Sequence, residues 1–213
     1  MIKFKKPTLI TLTSPTCGGK TWLMDHLIKD WDLKRVVSTT DRPARAGEIE
    51  GVHYHFITTE ESMKLEADDK FAEIITYNGV RYGVTHTEMQ AKVAVVDEPP
   101  PIIILEPSGL SEYKRYCVSH GWDMMSVFVY TPEAVRLKRL AHRTTDDIVA
   151  TDGMSYEAIL NLVVANNKRL TAIFEHERSW FDTHKWDVVV PGTSLDDAKS
   201  LIITAANFLN DTQ

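Results

Sequence analysis

Apolar positions along the chain fall into two spacings. Short β-branched runs at Thr8–Thr13, Val36–Thr39, His53–Thr58, Ile74–Tyr77, Ile102–Glu106, Ser126–Tyr130 and Asp187–Val190 predict strands. Recurrence at three- and four-residue intervals predicts helices at Thr21–Trp31, Thr59–Ala67, Glu88–Ala94, Ser111–His120, Pro132–His142, Tyr156–Glu177 and Leu195–Leu209. Ile102–Leu105 and Val188–Val190 are apolar without alternation, as expected of strands covered on both faces. The pattern predicts an α/β fold with a parallel sheet flanked by helices, interrupted by a β-rich piece around residues 36–90. Within the helix at Tyr156–Glu177, the stripe Ile159, Leu160, Val163 and Val164 reads as core packing.

Composition narrows the partners. With 213 residues and 43% hydrophobic content, the chain can bury one sizeable core. Thirty acidic against 24 basic residues disfavour a general nucleic-acid binder, while leaving room for a local basic pocket. Two cysteines, Cys17 and Cys117, make neither a disulfide framework nor a cysteine zinc site, and suit a reducing, cytoplasmic setting. The lysines near the N-terminus precede an apolar run broken by threonines, so no signal peptide is expected. No stretch approaches the roughly 20 apolar residues of a membrane span, and no membrane partner is expected.

Candidate chemistry begins where the first strand meets the first helix, at Ser14-Pro15-Thr16-Cys17-Gly18-Gly19-Lys20-Thr21. In a phosphate-binding loop, glycines let backbone N–H groups face phosphate oxygens, a lysine reaches the β/γ-phosphates, and a Ser/Thr hydroxyl holds Mg²⁺. Gly18, Gly19, Lys20 and Thr21 fill those places, with Ser14, Thr16 and Cys17 completing the candidate ATP site. The pattern G-x-x-x-x-G-K-[ST] wants glycine at Ser14, whose Cβ is expected to sit poorly at the entry of a tight turn. Further on, Arg42 and Arg45 lie beside Pro43 and Gly47, followed by Tyr54. Guanidinium forks grip phosphate oxygens, so these residues fit a second phosphate clamp; taken alone they also fit a solvated basic turn.

The segment Ser38-x-Thr40-x-Arg42-x-x-Arg45-x-Gly47-Glu48-x-x-Gly51-x-x-Tyr54-x-Phe56 resembles the guanylate kinase family, as do Phe71-x-Glu73 and Gly79-x-x-Tyr82-Gly83. The likeness continues in order through Glu106, Gly109, Arg139, Arg143 with Thr145-Asp146, Glu157, Ala165 and Trp186–Val190. It implies one domain over residues 1–213, a P-loop kinase core at 1–35, 95–130 and 156–213, a monophosphate-binding region at about 36–90, and a helical lid at about 131–155. It also implies an ATP- and Mg²⁺-dependent kinase that transfers the γ-phosphoryl group to GMP or dGMP, acting on small-molecule nucleotides as a monomer or homodimer. By the same likeness Arg42, Arg45, Tyr54 and Tyr82 hold the acceptor phosphate, and Ser38, Glu73 and Glu106 face its base. Lys20 with Arg139 and Arg143, four apart on one helical face, serves the transferring group.

Departures from the family pattern leave alternatives. Val84 stands where a hydroxyl is usual, Glu106 replaces a shorter carboxylate, Ile104 replaces another, and Leu162 replaces a third lid arginine. Lys168 and Arg169 are possible substitutes for that arginine, and residues 147–155 read as a longer loop. A kinase for another or modified deoxynucleoside monophosphate, or an inactive phosphopeptide-binding module of the same fold, therefore stay in view. His53 and His55 flank Tyr54 without a third ligand at a recognisable metal spacing.

Overall fold

A strand buried at all its positions must be covered on both faces, and Thr8–Thr13 (β1) is such a strand. In the computed structural model, which describes residues 4–6, 8–45, 47–77, 79–92, 98–149, 154–182 and 184–211, the chain continues through α1 (Lys20–Trp31), β2 (Lys34–Arg35), β3 (Thr39–Thr40), β4 (His55–Phe56) and α2 (Thr59–Ala67). Next come β5 (Phe71–Tyr77), β6 (Val80–Thr85), α3 (His86–Ala91), β7 (Pro101–Ile104), α4 (Leu110–Ser119), β8 (Asp123–Tyr130), α5 (Glu133–Val149), α6 (Tyr156–Glu175), β9 (Val188–Pro191) and α7 (Leu195–Asp211). Strands β2-β7-β1-β8-β9 form a parallel sheet with β1 at its centre. Strands β4-β3-β6-β5 form a second, mixed sheet.

Alternation along β1 sorts the core into two layers. Ile10 and Leu12 join Leu23, Met24 and Leu27 of α1 and Ala198, Ile202 and Ala206 of α7. Leu9 faces the other way, with Ile103, Leu105 and the α4 residues Leu110, Tyr113, Tyr116 and Cys117. The parallel sheet flanked by helices is the fold class read from the sequence. The C-terminal ends of β7, β1 and β8 lie side by side, with Leu12 registered on Ile104 and Thr13 on Phe128. The segments that leave these strands therefore collect along one edge, the usual place for a ligand in such sheets.

Several boundaries differ from the sequence pattern. The run Val36–Thr39 is not one strand: β2 belongs to the parallel sheet and β3 to the second, and residues 36–38 carry the chain between them. Strand β6 lacks an apolar run and exists through its pairing with β5. Gly83 permits that pairing, because a Cβ there would come within 2.6 Å of the Glu73 carbonyl. Helix α5 runs on to Val149 where a loop was expected from residue 147, and the Thr144 hydroxyl satisfies itself on the Leu140 carbonyl at 2.9 Å. Residues 150–153 lie outside the described residues, as do residues 93 and 94 of the expected helix Glu88–Ala94.

The stripe on α6 is also corrected. Leu160, Val163 and Val164 are 44–49% exposed, and α6 packs through Asn166, Ala172 and Ile173 instead. Periodicity reveals an apolar face but not whether another element of the chain covers it. Among the described residues no helix is long and apolar enough to cross a membrane. Leu12→Ala, at the centre of the sheet, should cost about 2–5 kcal/mol in urea denaturation, whereas Leu160→Gln should stay within about 0.5 kcal/mol.

Candidate active site

The loop between β1 and α1 presents backbone N–H groups that no described residue uses. Helix α1 starts after Gly19 at φ 97°, with no side-chain cap and no acidic residue in its first turn. The other six helices each have an acidic residue there. Among the described residues the N–H groups of Cys17, Gly19, Lys20 and Thr21 have no partner, whereas Gly18 N–H donates to the Pro15 carbonyl at 3.0 Å. Unspent N–H groups at a helix start with no local negative charge suit a phosphate. The Lys20 ammonium rests on the Ser14 carbonyl at 3.0 Å, leaving two of its three hydrogens for a ligand.

Ser14 does not carry the strain expected of it. Its backbone avoids positive φ; Cys17 takes that conformation instead, at φ 60°. Ser14 is fully buried, and its hydroxyl fills the space above Gly18, 1.7 Å from where a Cβ would stand. The serine has therefore moved the need for glycine along the loop rather than spoiling the turn.

Other strands fasten the loop. After β8, the Thr131 hydroxyl donates to the Gly18 carbonyl at 2.8 Å. After β9, Gly192 lies so close that a Cβ would meet the Gly18 carbonyl at 2.2 Å. Arg139 of α5 donates to the carbonyls of Cys17 at 3.1 Å and Gly192 at 2.9 Å. Its guanidinium thus lies against the loop between β1 and α1 and is committed to main chain. Arg143, a turn further along α5, is exposed.

Across the second sheet the expected clamp is partly spent on itself. Arg42 makes a two-pronged pair with Glu48, at 2.6 and 2.7 Å, and lies over the Tyr54 ring at 4.9 Å. Burial would lower the Arg42 pKa, but the Glu48 carboxylate outweighs it and holds it above the ordinary value. Burial would likewise raise Glu48, and hydrogen bonds from Arg42 and the Arg45 N–H hold it below the usual carboxylate range. The Arg42 Nε is buried with no well-aligned partner among the described residues, which leaves it free to donate to an incoming anion. Tyr54 and Tyr82 have ring centres 6.0 Å apart, and burial raises the Tyr54 pKa. Arg45 is exposed, and Ser38 is half-buried at the start of β3, with its carbonyl receiving His55 N–H.

Two further carboxyls are withdrawn from water, Glu73 fully and Glu106 in part. Glu73 of β5 is pushed up to about 7, by burial first and then by Glu112. It packs against Gly109, where a Cβ would approach it to 2.7 Å, and beside Tyr113, whose buried hydroxyl has no well-aligned partner. Glu106, after β7, is also pushed up to about 7 by burial, against the pull of nearby Lys20 and with help from Glu177; its Oε2 has no partner among the described residues. Val84 is opposite Glu73 in register and fully buried.

Sequence reasoning missed Glu177, Arg136, Tyr77, Thr131 and Gly192. The Glu177 carboxylate accepts Thr16 N–H at 2.7 Å, Thr16 Oγ1–H at 2.6 Å and Tyr77 O–H at 3.1 Å. Buried Arg136 lies 3.8 Å from it. Gly192 had a signal, a glycine directly after a strand. The others had none, because their partners are remote in sequence.

A guanylate kinase family model matches residues 6–203. A guanylate kinase of Sphingopyxis alaskensis is 33% identical over 144 residues, covering 67% of this chain and 63% of that protein. One of Schizosaccharomyces pombe is 33% identical over 141 residues, covering 65% of this chain and 67% of that protein. The chain thus spans less than two thirds of the first of these relatives. A solved guanylate kinase from Anaplasma phagocytophilum superposes with a TM-score of 0.61 at 19% identity, covering 100% of this chain and 89% of that one, which shows the shared fold.

Two measurements test this site. Ser14→Gly should leave ATP affinity within about threefold in calorimetric titration, since the serine is not in a glycine-only conformation. Glu73 and Glu106, near 7 when folded against an ordinary 4.5, bind protons on folding. Their contribution to stability is full below about pH 4.5 and lost as pH rises through 7. Glu73→Gln and Glu106→Gln should each stabilise the ligand-free protein by roughly 1–3 kcal/mol at pH 8 and leave it unchanged at pH 4, by thermal unfolding.

Proposed function

The chain belongs to the guanylate kinase family, and on that premise we propose that it transfers the γ-phosphoryl group of ATP to GMP or dGMP. The observation that carries the donor half is the set of unspent N–H groups in front of Lys20. In this reading Cys17, Gly19, Lys20 and Thr21 cradle the donor phosphates by their N–H groups, and Lys20 turns from the Ser14 carbonyl to neutralise β/γ charge. Arg139, already on the loop, and Arg143 add positive charge from the lid side. The second sheet is the monophosphate-binding region and α5 the lid.

On the acceptor side, the unpartnered Arg42 Nε, Arg45, Tyr54 and Tyr82 hold the monophosphate. Ser38, Glu73 and Glu106 face the base, where a carboxylate can accept from a guanine N1–H and 2-amino group together. An acceptor phosphate oxygen bonds to the γ-phosphorus as the β–γ bridging bond breaks, and ADP leaves with that electron pair. The protein need supply only position and charge, not a nucleophile.

Mg²⁺ fits the residues present. The Thr21 hydroxyl is exposed at the loop end of α1, and Glu106 offers a buried oxygen without a partner near Lys20. Thr21 would hold the ion directly and Glu106 through its water shell. The ion would supply neutralisation of donor phosphate charge. Two free cysteines agree with a cytoplasmic setting.

Burial of Val84 beside Glu73 favours a second reading, in which the acceptor is another or modified deoxynucleoside monophosphate, because that wall of the base pocket offers no hydroxyl. A panel of common and modified monophosphates, ranked by kcat/KM with ATP and Mg²⁺, decides between them. GMP and dGMP should lead, and a flat or different ranking would favour the second. Lys20→Ala should lower kcat by about 10²–10³ in a coupled ADP-release assay; wild-type turnover would overturn the mechanism.

A further inference from the structure

Cys17 poses a problem that the loop must solve. A residue with a Cβ is disfavoured in the left-handed region by roughly tenfold, and Cys17 sits there at φ 60°. Strained residues of this kind persist only where their surroundings over-determine them. Here the peptide after Cys17 and the residue before it are gripped, while the peptide between Thr16 and Cys17 keeps its N–H free of any described partner. On one side the Cys17 carbonyl accepts from Arg139; on the other, Thr16 is held through its N–H and its hydroxyl by the two oxygens of Glu177.

Glu177 itself is firmly placed. It is 2% exposed, lies just beyond α6, and takes a third hydrogen bond from Tyr77 of the second sheet at 3.1 Å. Arg136 of α5, one turn before Arg139, faces it at 3.8 Å and is equally buried. The carboxylate uses a loop N–H that lies outside the unspent set of Cys17, Gly19, Lys20 and Thr21. It therefore braces the loop without occupying its phosphate-facing groups.

We infer that Glu177, acting through Thr16, is a positioning residue that holds the phosphate loop in its strained bend for phosphoryl transfer, an inference that rests on the kinase reading above. A carboxylate suits the task because one group accepts both Thr16 donors and the Tyr77 hydroxyl at once, which an amide oxygen cannot do with the same geometry. The bend keeps the neighbouring N–H groups out of internal hydrogen bonds; without the brace Cys17 relaxes to negative φ and that arrangement is lost.

The test is a rescue. With ATP and GMP, Glu177→Gln should lower kcat at least about tenfold and leave the KM for GMP within about twofold, because it acts on the donor loop. Adding Cys17→Gly, which makes the left-handed bend intrinsically favourable, should restore kcat to within about threefold of Cys17→Gly alone. A role confined to packing, or to balancing the charge of Arg136, would not be relieved by a change at residue 17. A kcat within twofold of wild type for folded Glu177→Gln, or a loss that Cys17→Gly does not relieve, overturns the inference. If Glu177→Gln does not fold, Tyr77→Phe carries the test, with an expected loss of about two- to fivefold and the same rescue; no loss, or no rescue, overturns it. If the wild-type protein phosphorylates no monophosphate, the kinase reading fails separately. Amide exchange of residues 14–21 in the ligand-free protein then decides: about tenfold faster exchange in Glu177→Gln supports the brace, and unchanged exchange overturns it.

Discussion

A phosphate loop has to keep its N–H groups unpaired and still hold one conformation. Paired N–H groups would be useless to a ligand, and unpaired ones give the backbone nothing to rest on. This chain fixes the loop by its carbonyls and flanks instead. The carbonyls of Cys17 and Gly18 are taken by Arg139 and Thr131, the Ser14 carbonyl by Lys20, and the Thr16 flank by Glu177. Segments leaving two strands at the C-terminal edge of the parallel sheet contribute to that arrangement: Thr131 after β8 and Gly192 after β9.

The same logic of partly satisfied groups runs through the second sheet. Arg42 is oriented by Glu48 and by the Tyr54 ring, so it is already in place before any anion arrives, with one buried donor left over. Pre-orientation of this kind lowers the entropy lost on binding. Burial strips water from Glu73 and Glu106 and raises both, so a ligand bringing N–H donors would relieve them. The ligand-free site thus keeps unpaired polar atoms where substrates would bring partners.

Legibility tracked sequence separation. The loop residues Gly18 to Thr21 and the helix behind them were readable because all their contributions are local. Arg42, Arg45 and Tyr54 were readable as a motif, yet the pairing of Arg42 with Glu48, only six residues away, was not anticipated and changes what Arg42 has to offer. Glu177 lies 161 residues from Thr16, in a stretch whose sequence gives no hint of a buried carboxylate. The apolar stripe on α6 was visible as a stripe and misread as core, since periodicity is a property of one helix while burial depends on its neighbours.

Sequence alone determined the parallel α/β framework, the strand–loop–helix order around Lys20, and the family likeness that runs from the loop to Val190. These depend on hydrophobic period and on residue types at fixed short spacings, which a linear chain records directly. Tertiary structure decided that Cys17 rather than Ser14 carries the loop's left-handed turn, that Arg139 spends its donors on main chain, and that Glu177 closes the far side of the loop. Those outcomes depend on which strand ends and helix faces meet at one edge of the sheet, and that meeting is set by the packing of the whole core.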